Sequence, residues 1–302
     1  MINTNLSGHI SDKNREITEP STREHSPRPL HIDVGAVIKE RLGAKSRFIP
    51  RFLVSGLAKF ICQDRLNGLL DYAGDKKDAD FCRAVLEYLG VGCNIVNPEL
   101  LPLPSDKRVV FVCNHPLGAL DGMIIIDRLT EIYGKGLKFV VNDLLNAVTP
   151  LEGVFLPVNK HGRQNREAVA AVDRAFEGDE PVVVFPAGLV SRRSPDGVIA
   201  DPQWHKMFVT KAVATRRDIV PLYFDGSNSS FFYNFALWRK RLGIGFNLEM
   251  TRLPAEIFRC EGRQFSIDVR PRVSWQKLAS FSNPVEAADY VRSIVYSSSL
   301  RS

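Results

Sequence analysis

The chain has 302 residues, 44% of them hydrophobic, with 40 Lys plus Arg against 34 Asp plus Glu and a formal net charge of +6. That length suits one large α/β domain with an accessory segment, and no apolar run approaches the roughly 18–20 residues a membrane-crossing helix needs. The first thirty residues lack the apolar core of a signal peptide, and five scattered cysteines (62, 82, 93, 113, 260) form no CxxC pair, which predicts reduced thiols on the cytoplasmic side.

Residues 1–30, rich in Ser, Thr, Asn, Pro and charge, read as a disordered tail; 31–90 as an N-terminal helical module; and 91–302 as the α/β domain. Asp33 is placed to cap a first helix that runs through Arg41. From Arg47 to Tyr72 apolar residues recur near a 3.6 period, with Arg47, Arg51, Lys59 and Arg65 among them, so a second helix is expected there. A third covers 78–89 and stops at Gly90. The module either covers one face of the core or lies on a membrane interface. Strands are expected at 91–96, 109–112, 137–141, 153–158, 182–185 and 219–224, with a possible edge strand at 265–269. Helices are expected from Met123 to about Ile132, and at 142–147, 163–177, 203–215 and 284–296. Short apolar strands alternating with helices predict a mostly parallel central sheet flanked by helices. Residues 231–241 (FFYNFALWRKR) read either as a core-covering helix with a basic end or as an interfacial anchor through Phe231, Phe232 and Trp238.

Two polar knots interrupt this pattern. Residues 109–122 (VVFVCNHPLGALDG) run from an apolar strand into Asn114, His115, Pro116, Gly118 and Asp121. Imidazole is a general base near neutral pH, and a carboxylate can fix its tautomer; Pro116 and Gly118 suit a turn that folds Asp121 back towards the ring. Residues 181–193 (PVVVFPAGLVSRR) repeat the design, a strand ending at Pro186-Ala187-Gly188 with Arg192 and Arg193 behind it.

Taken together and in this order, the knots resemble the glycerolipid (lysophospholipid) acyltransferase family. That family carries a His-x4-Asp block and, downstream, a Phe-Pro-Glu-Gly-Thr-x-Ser-type block. Its middle block is matched by 153–160 (GVFLPVNK), ending on Lys160, and its late Val-Pro element by Val220-Pro221. This chain has five residues between His115 and Asp121, and it has Ala187 and Leu189 where the family has Glu and Thr. It therefore looks like an outlying subfamily, related to the ornithine- and glycine-lipid O-acyltransferases. In the family those Glu and Thr positions belong to the polar region around the acceptor's glycerol phosphate. Their replacement implies a different acceptor, such as a lyso amino-acid lipid, and the extra residue implies a reshaped pocket floor.

The resemblance implies acyl transfer from an acyl thioester (acyl-CoA or acyl-carrier protein, a co-substrate with no further cofactor) to the hydroxyl of a lysolipid. His115 and Asp121 form the base. The loops carrying Gly118 and Gly188 offer main-chain donors for the oxyanion; Pro186 lines the substrate side, Asn114 either joins it or holds the turn, and Lys160, Arg163, Arg192 and Arg193 are either substrate-side cations or solvated surface charges, with Lys160 or Arg192 pairing the acceptor's carboxylate. No enzyme nucleophile is needed, and no Gly-x-Ser-x-Gly elbow is present, which speaks against an α/β-hydrolase. Cys113 reads as a buried strand thiol or as an acyl carrier, and Ser227 and Ser229 as turn residues. His161 and His205 have no metal-ligand spacing. The alternatives are an ordinary 1-acylglycerol-3-phosphate acyltransferase, or a non-catalytic lipid- or carrier-binding protein on the same scaffold. The positive balance suits an anionic membrane surface or an acidic carrier; cations without interleaved stacking aromatics do not suit nucleic acid.

Overall fold

Asp33 caps the first helix as its position predicts, accepting the Ala36 N–H at 3.0 Å at the start of α1 (Val34–Leu42). The computed structural model describes residues 30–142, 148–158 and 166–297. The tail expected at 1–30 therefore lies almost wholly outside the described residues, as does most of the short helix expected at 142–147.

The single helix expected over 47–72 is broken in two, α2 (Arg51–Phe60) and α3 (Gln63–Ala73). Cys62 between them is left-handed at φ +57, a conformation that cannot continue a helix. The break separates two environments. No residue of α2 is buried, whereas α3 and the following α4 (Asp78–Leu89) bury Leu69, Leu70, Phe81, Val85 and Leu89 in the main core. So α3 and α4 cover the core, and α2 does not.

After α4 come β1 (Gly92–Val96), β2 (Val109–Cys113), α5 (Ala119–Tyr133), β3 (Lys138–Asn142), β4 (Phe155–Val158), α6 (Arg166–Glu177) and β5 (Val182–Val184). A two-stranded hairpin follows, β6 (Arg192–Arg193) with β7 (Ile199–Ala200), then α7 (Met207–Ala214), β8 (Asp218–Asp225), α8 (Ser230–Arg241), α9 (Leu253–Phe258), β9 (Gln264–Val269), α10 (Trp275–Ala279) and α11 (Pro284–Val295). The seven-stranded sheet runs β1-β9-β8-β2-β5-β3-β4, every pair parallel except β8 with β9. The expected mostly parallel sheet flanked by helices is thus the fold observed.

Strand β2 sits at the centre and is buried throughout, which is why its sequence is an unbroken apolar run. Val109, Phe111 and Cys113 face the layer holding α4 and α5; Val110 and Val112 face the layer holding α6, α7 and α11. The crossover from β2 to β3 uses α5 on one face and that from β5 to β8 uses α7 on the other. In an open α/β sheet a reversal of this kind places the ligand-binding crevice beyond the carboxyl ends of the strands, here β5, β2 and β8. The edge position expected for 265–269 is corrected: β9 lies inside the sheet, between β1 and β8. Its alternating polar residues suggest a half-solvated strand, but Asp268 is buried and paired with Arg270 at 3.1 Å and with Asn97 at 2.8 Å, so its carboxylate is satisfied within the protein.

Arg217 ties the far end of the sheet together. It is fully buried and donates to the main-chain carbonyls of Phe176, Glu180, Val109, Ala175 and Gly178; burial lowers its pKa to about 10, which leaves it charged at neutral pH. Replacing it with Met keeps the bulk but strands those carbonyls, so Arg217→Met should cost about 2–4 kcal/mol, read as a fall in denaturant midpoint at constant m.

Candidate active site

Three neighbouring strands end on the crevice: β2 at the turn carrying His115, β5 at Pro186–Gly188, and β8 at the segment 225–229. The turn after β2 is closed by one carboxylate. Helix α5 starts at Ala119, earlier than the sequence pattern suggests, which places Asp121 in its first turn with no exposed surface. Asp121 Oδ2 accepts from His115 Nδ1 at 3.0 Å and from the Leu117 N–H at 2.9 Å, and Oδ1 accepts the Gly122 N–H at 2.8 Å. A carboxylate only accepts, so the Nδ1 proton is fixed and the Nε2 lone pair is left for chemistry. The extra residue between His115 and Asp121 is absorbed by Gly118, at φ +91, where a Cβ would stand 2.9 Å from Leu253.

The imidazole is 16% exposed and lies flat on Phe185, ring centroids 3.9 Å apart, while Phe139 meets the other side of that phenyl edge-on. Phe185 opens the second knot, so the two knots meet face to face. The main chain of His115 is held as firmly. Its N–H donates to Asp201 Oδ1 at 3.1 Å, and its carbonyl accepts the Ser191 N–H at 2.8 Å. Asn228 Nδ2 donates to the Pro116 carbonyl at 2.9 Å, fastening the segment after β8 to the same turn.

Several residues expected on the substrate side are placed differently. The Asn114 amide is buried and clamps the ends of β2 and β8, donating to the Phe224 carbonyl at 2.9 Å and accepting the Phe224 N–H at 2.6 Å. Its donor and acceptor are engaged with the main chain, which makes it a strut of the turn rather than a substrate contact. The Gly188 N–H donates to the Phe185 carbonyl at 2.9 Å, so it does not serve the oxyanion. Pro186 is buried beneath the site, its carbonyl accepting the His205 N–H at 3.0 Å. Arg192 is turned away from any ligand: it pairs with the fully buried Glu249 at 3.1 Å and donates to the Val190 carbonyl at 3.0 Å, over the Phe232 ring. Burial lowers its pKa, opposed by Glu249. Arg193 lies over the Tyr233 ring, 3.5 Å from Asn234. Lys160 and Arg163 lie outside the described residues. Ala187 is packed in the core layer with Trp204 and Phe208, so the position where the family has Glu presents no polar group.

The nucleophile candidates are occupied or hidden. Ser229 caps α8, accepting the Phe232 N–H, and donates to buried Glu256 at 2.7 Å. The Cys113 thiol is wholly buried, and that burial, helped by Asp121, raises its pKa well above the usual thiol value, the opposite of what an acyl carrier needs. Sequence reading missed Asp201, Ser191, Glu249 and Glu256. Asp201 carries a faint signal in the sequence, an acid three residues before a Trp whose N–H must find a buried acceptor.

The sequence profile of the family described as Acyltransferase matches residues 36–300. A lyso-glycine lipid O-acyltransferase of Phocaeicola vulgatus is 38% identical over 265 residues, 88% of this chain and 94% of that protein. A lyso-glycine lipid O-acyltransferase of Bacteroides thetaiotaomicron is 37% identical over 265 residues, 88% and 96% of the two chains. Among solved structures, the 1-acyl-sn-glycerophosphate acyltransferase PlsC of Thermotoga maritima is 20% identical, with a TM-score of 0.43 over 72% of this chain and 74% of that one.

The Glu249 cluster supports the loop that carries Arg192. Glu249 also accepts from Arg239 at 2.7 Å; Glu249 and Arg239 are buried, and Arg192 is partly so. Glu249→Ala leaves the buried Arg239 guanidinium and the partly buried Arg192 without their counter-charge and should cost about 3–5 kcal/mol. Arg193→Ala, on the rim, should change stability by less than about 0.5 kcal/mol. Paired thermal and denaturant melts of the two variants check both values.

Proposed function

The chain belongs to the acyltransferase family, and from that premise we propose that it esterifies the hydroxyl of a lyso amino-acid lipid with an acyl group taken from an acyl thioester. The observation that carries this reading is the His115–Asp121 bond, with Nδ1 fixed and Nε2 available beside a crevice. In the proposed reaction Nε2 takes the proton of the acceptor hydroxyl as its oxygen attacks the thioester carbonyl. The negative charge gathers on the carbonyl oxygen, the carbon–sulfur bond breaks, and the imidazolium returns the proton to the departing thiolate. Asp121 holds the ring and balances the imidazolium. The oxyanion is assigned to main-chain N–H groups at the amino end of α5 other than that of Gly122, which Asp121 takes; the N-cap residue Gly118 has no side chain to bond them, and the helix dipole favours negative charge there. The thioester is already activated, so no covalent enzyme intermediate is required.

Two things support an amino-acid lipid as acceptor. The curated relatives bear the name lyso-glycine lipid O-acyltransferase, and the second knot has Ala187 and Leu189 where the family uses polar side chains around a glycerol phosphate. With Arg192 held by Glu249, Lys160 is the cation assigned to the acceptor's carboxylate. Whether the donor is acyl-CoA or acyl-carrier protein is decided by supplying each.

The membrane is the assigned source of the acceptor. Phe48 and Phe52 on the first helical segments, and Phe231, Trp238 and Phe246 around α8, are exposed, and Arg47, Arg51, Lys59, Lys240 and Arg241 are exposed among them. Arg252 joins the two groups, lying between the rings of Phe60 and Phe231. Aromatic rings beside cations favour an anionic headgroup layer. Phe232, expected in this anchor, is instead fully buried with Val190 and Tyr233, because the 3.6-residue repeat turns it inward. Among the described residues no helix is long and apolar enough to cross a membrane.

His115→Ala and Asp121→Asn should remain folded and lose at least about 10²-fold in kcat. With wild-type protein and one donor, kcat/KM for an N-(3-hydroxyacyl)glycine should exceed that for lysophosphatidate by tenfold or more; the reverse preference contradicts the acceptor assignment. Binding to vesicles containing anionic lipid should weaken as salt rises, and Phe52→Ala, Phe231→Ala and Trp238→Ala together should weaken it further, read by co-sedimentation.

A further inference from the structure

A second carboxylate stands behind the catalytic turn, in a place the reaction above does not use. Asp201, at the end of β7, is buried, and its two oxygens take donors from three directions. Oδ1 accepts the His115 main-chain N–H at 3.1 Å and the Ser191 hydroxyl at 2.6 Å, and Oδ2 accepts Trp204 Nε1 at 3.0 Å. Its own main chain is fixed from the last helix: the Asp201 N–H donates to the Tyr296 hydroxyl at 2.9 Å, and Arg292 donates to the Asp201 carbonyl at 2.9 Å.

We propose that Asp201 is a positioning residue for the base. It sets where the His115 main chain stands relative to Asp121 and Phe185, and so where Nε2 points, while touching neither substrate. The proposal rests on the reading of His115 as the base. Three features support it over a purely structural role. The residues it joins are the base and the loop of the second knot, which meet nowhere else through a charged group in the contacts described above. Ser191 bonds the base twice, through its own N–H to the His115 carbonyl and through Asp201 to the His115 N–H, so a shift of one knot carries the other with it. And a buried carboxylate is an expensive way to fasten a loop, one that the sheet edge or an amide could fasten at lower cost in desolvation. Burial indeed raises the Asp201 pKa, and the hydrogen bonds from Ser191 and His115 oppose that shift.

The charge-neutral variant separates the roles. In Asp201→Asn the amide oxygen still accepts from His115 and Ser191, but the amide nitrogen meets Trp204 Nε1, donor against donor. The side chain must then rotate or retreat and take the turn with it. A displacement on the order of 1 Å at a reacting group costs about 10²-fold in rate. Trp204→Phe removes the opposing donor, so the double variant Asp201→Asn/Trp204→Phe should recover much of the loss. The assay uses the full chain, an acyl-CoA and an N-(3-hydroxyacyl)glycine, with kcat and both KM values corrected for folded fraction by near-UV circular dichroism. Expected are a fall in kcat of at least about tenfold in Asp201→Asn, KM values within twofold of wild type, and at least fivefold recovery in the double variant. A folded Asp201→Asn with wild-type kcat overturns the proposal, and so does a loss of kcat that the double variant does not relieve. If Asp201→Asn does not fold, Ser191→Ala decides. It removes one bond to Oδ1 and keeps the carboxylate: a fall in kcat of threefold or more at unchanged KM supports the proposal, and wild-type kcat overturns it. His115→Ala is run alongside. If it retains turnover, the base assignment itself has failed; if it is inactive while the Asp201 variants turn over normally, only the positioning role has failed.

Discussion

A buried carboxylate has to be given donors, and the turn after β2 gives Asp121 three of them within six residues: the His115 ring, the Leu117 N–H and the Gly122 N–H. Each of these constrains the chain. The imidazole must turn back towards the helix, Gly118 must take a positive φ, and α5 must begin early enough to put Asp121 in its first turn. Losing any one would leave the buried carboxylate short of a donor in a place water does not reach, at a cost of about 1–3 kcal/mol. The surrounding fold serves the same bond. A fully buried central strand delivers the turn to the crevice, Asn114 joins the ends of β2 and β8 beneath it, and Phe185 lies flat on the ring.

How much of this can be read from sequence depends on the range of the interaction. The central strands, the Asp33 cap and the stop at Gly90 are local, and their signals are periodicity, a side-chain acceptor and a left-handed glycine; all three appear where expected. The His115–Asp121 pair is also local, six positions apart, and the turn residues between the two announce it. The long-range terms are not legible. Arg192 follows the second knot and looks free, yet its partner Glu249 lies 57 positions on. Asp201 reaches His115 across 86 positions. A charge whose partner is far along the chain reads the same as one facing solvent. The same blindness made β9 read as an edge, since nothing local says that Asp268 meets Asn97, 171 positions away.

The second knot shows how a departure from a family pattern becomes a structural statement. Ala187 is part of a packed layer, and the cation two turns further on is committed to a buried acid. Neither position then offers a free polar group, which suits the proposed acceptor, with its small head and a hydroxyl on its acyl chain. The exposed aromatic and basic residues of α2 and α8 meet at Arg252, next in sequence to Leu253, which packs against Gly118. The proposed membrane face and the catalytic turn are therefore neighbours through two consecutive residues.

In direct transfer, with His115 acting as a base on the acceptor, no acyl group ever rests on the protein. Intact-mass measurement after incubation with an acyl-CoA in the absence of acceptor reads this out. Direct transfer predicts an unchanged protein mass, followed on addition of an N-(3-hydroxyacyl)glycine by release of free CoA and formation of the ester. A protein heavier by one acyl group that discharges when the acceptor is added, with the acyl group mapped to a serine or cysteine of the crevice, would contradict it.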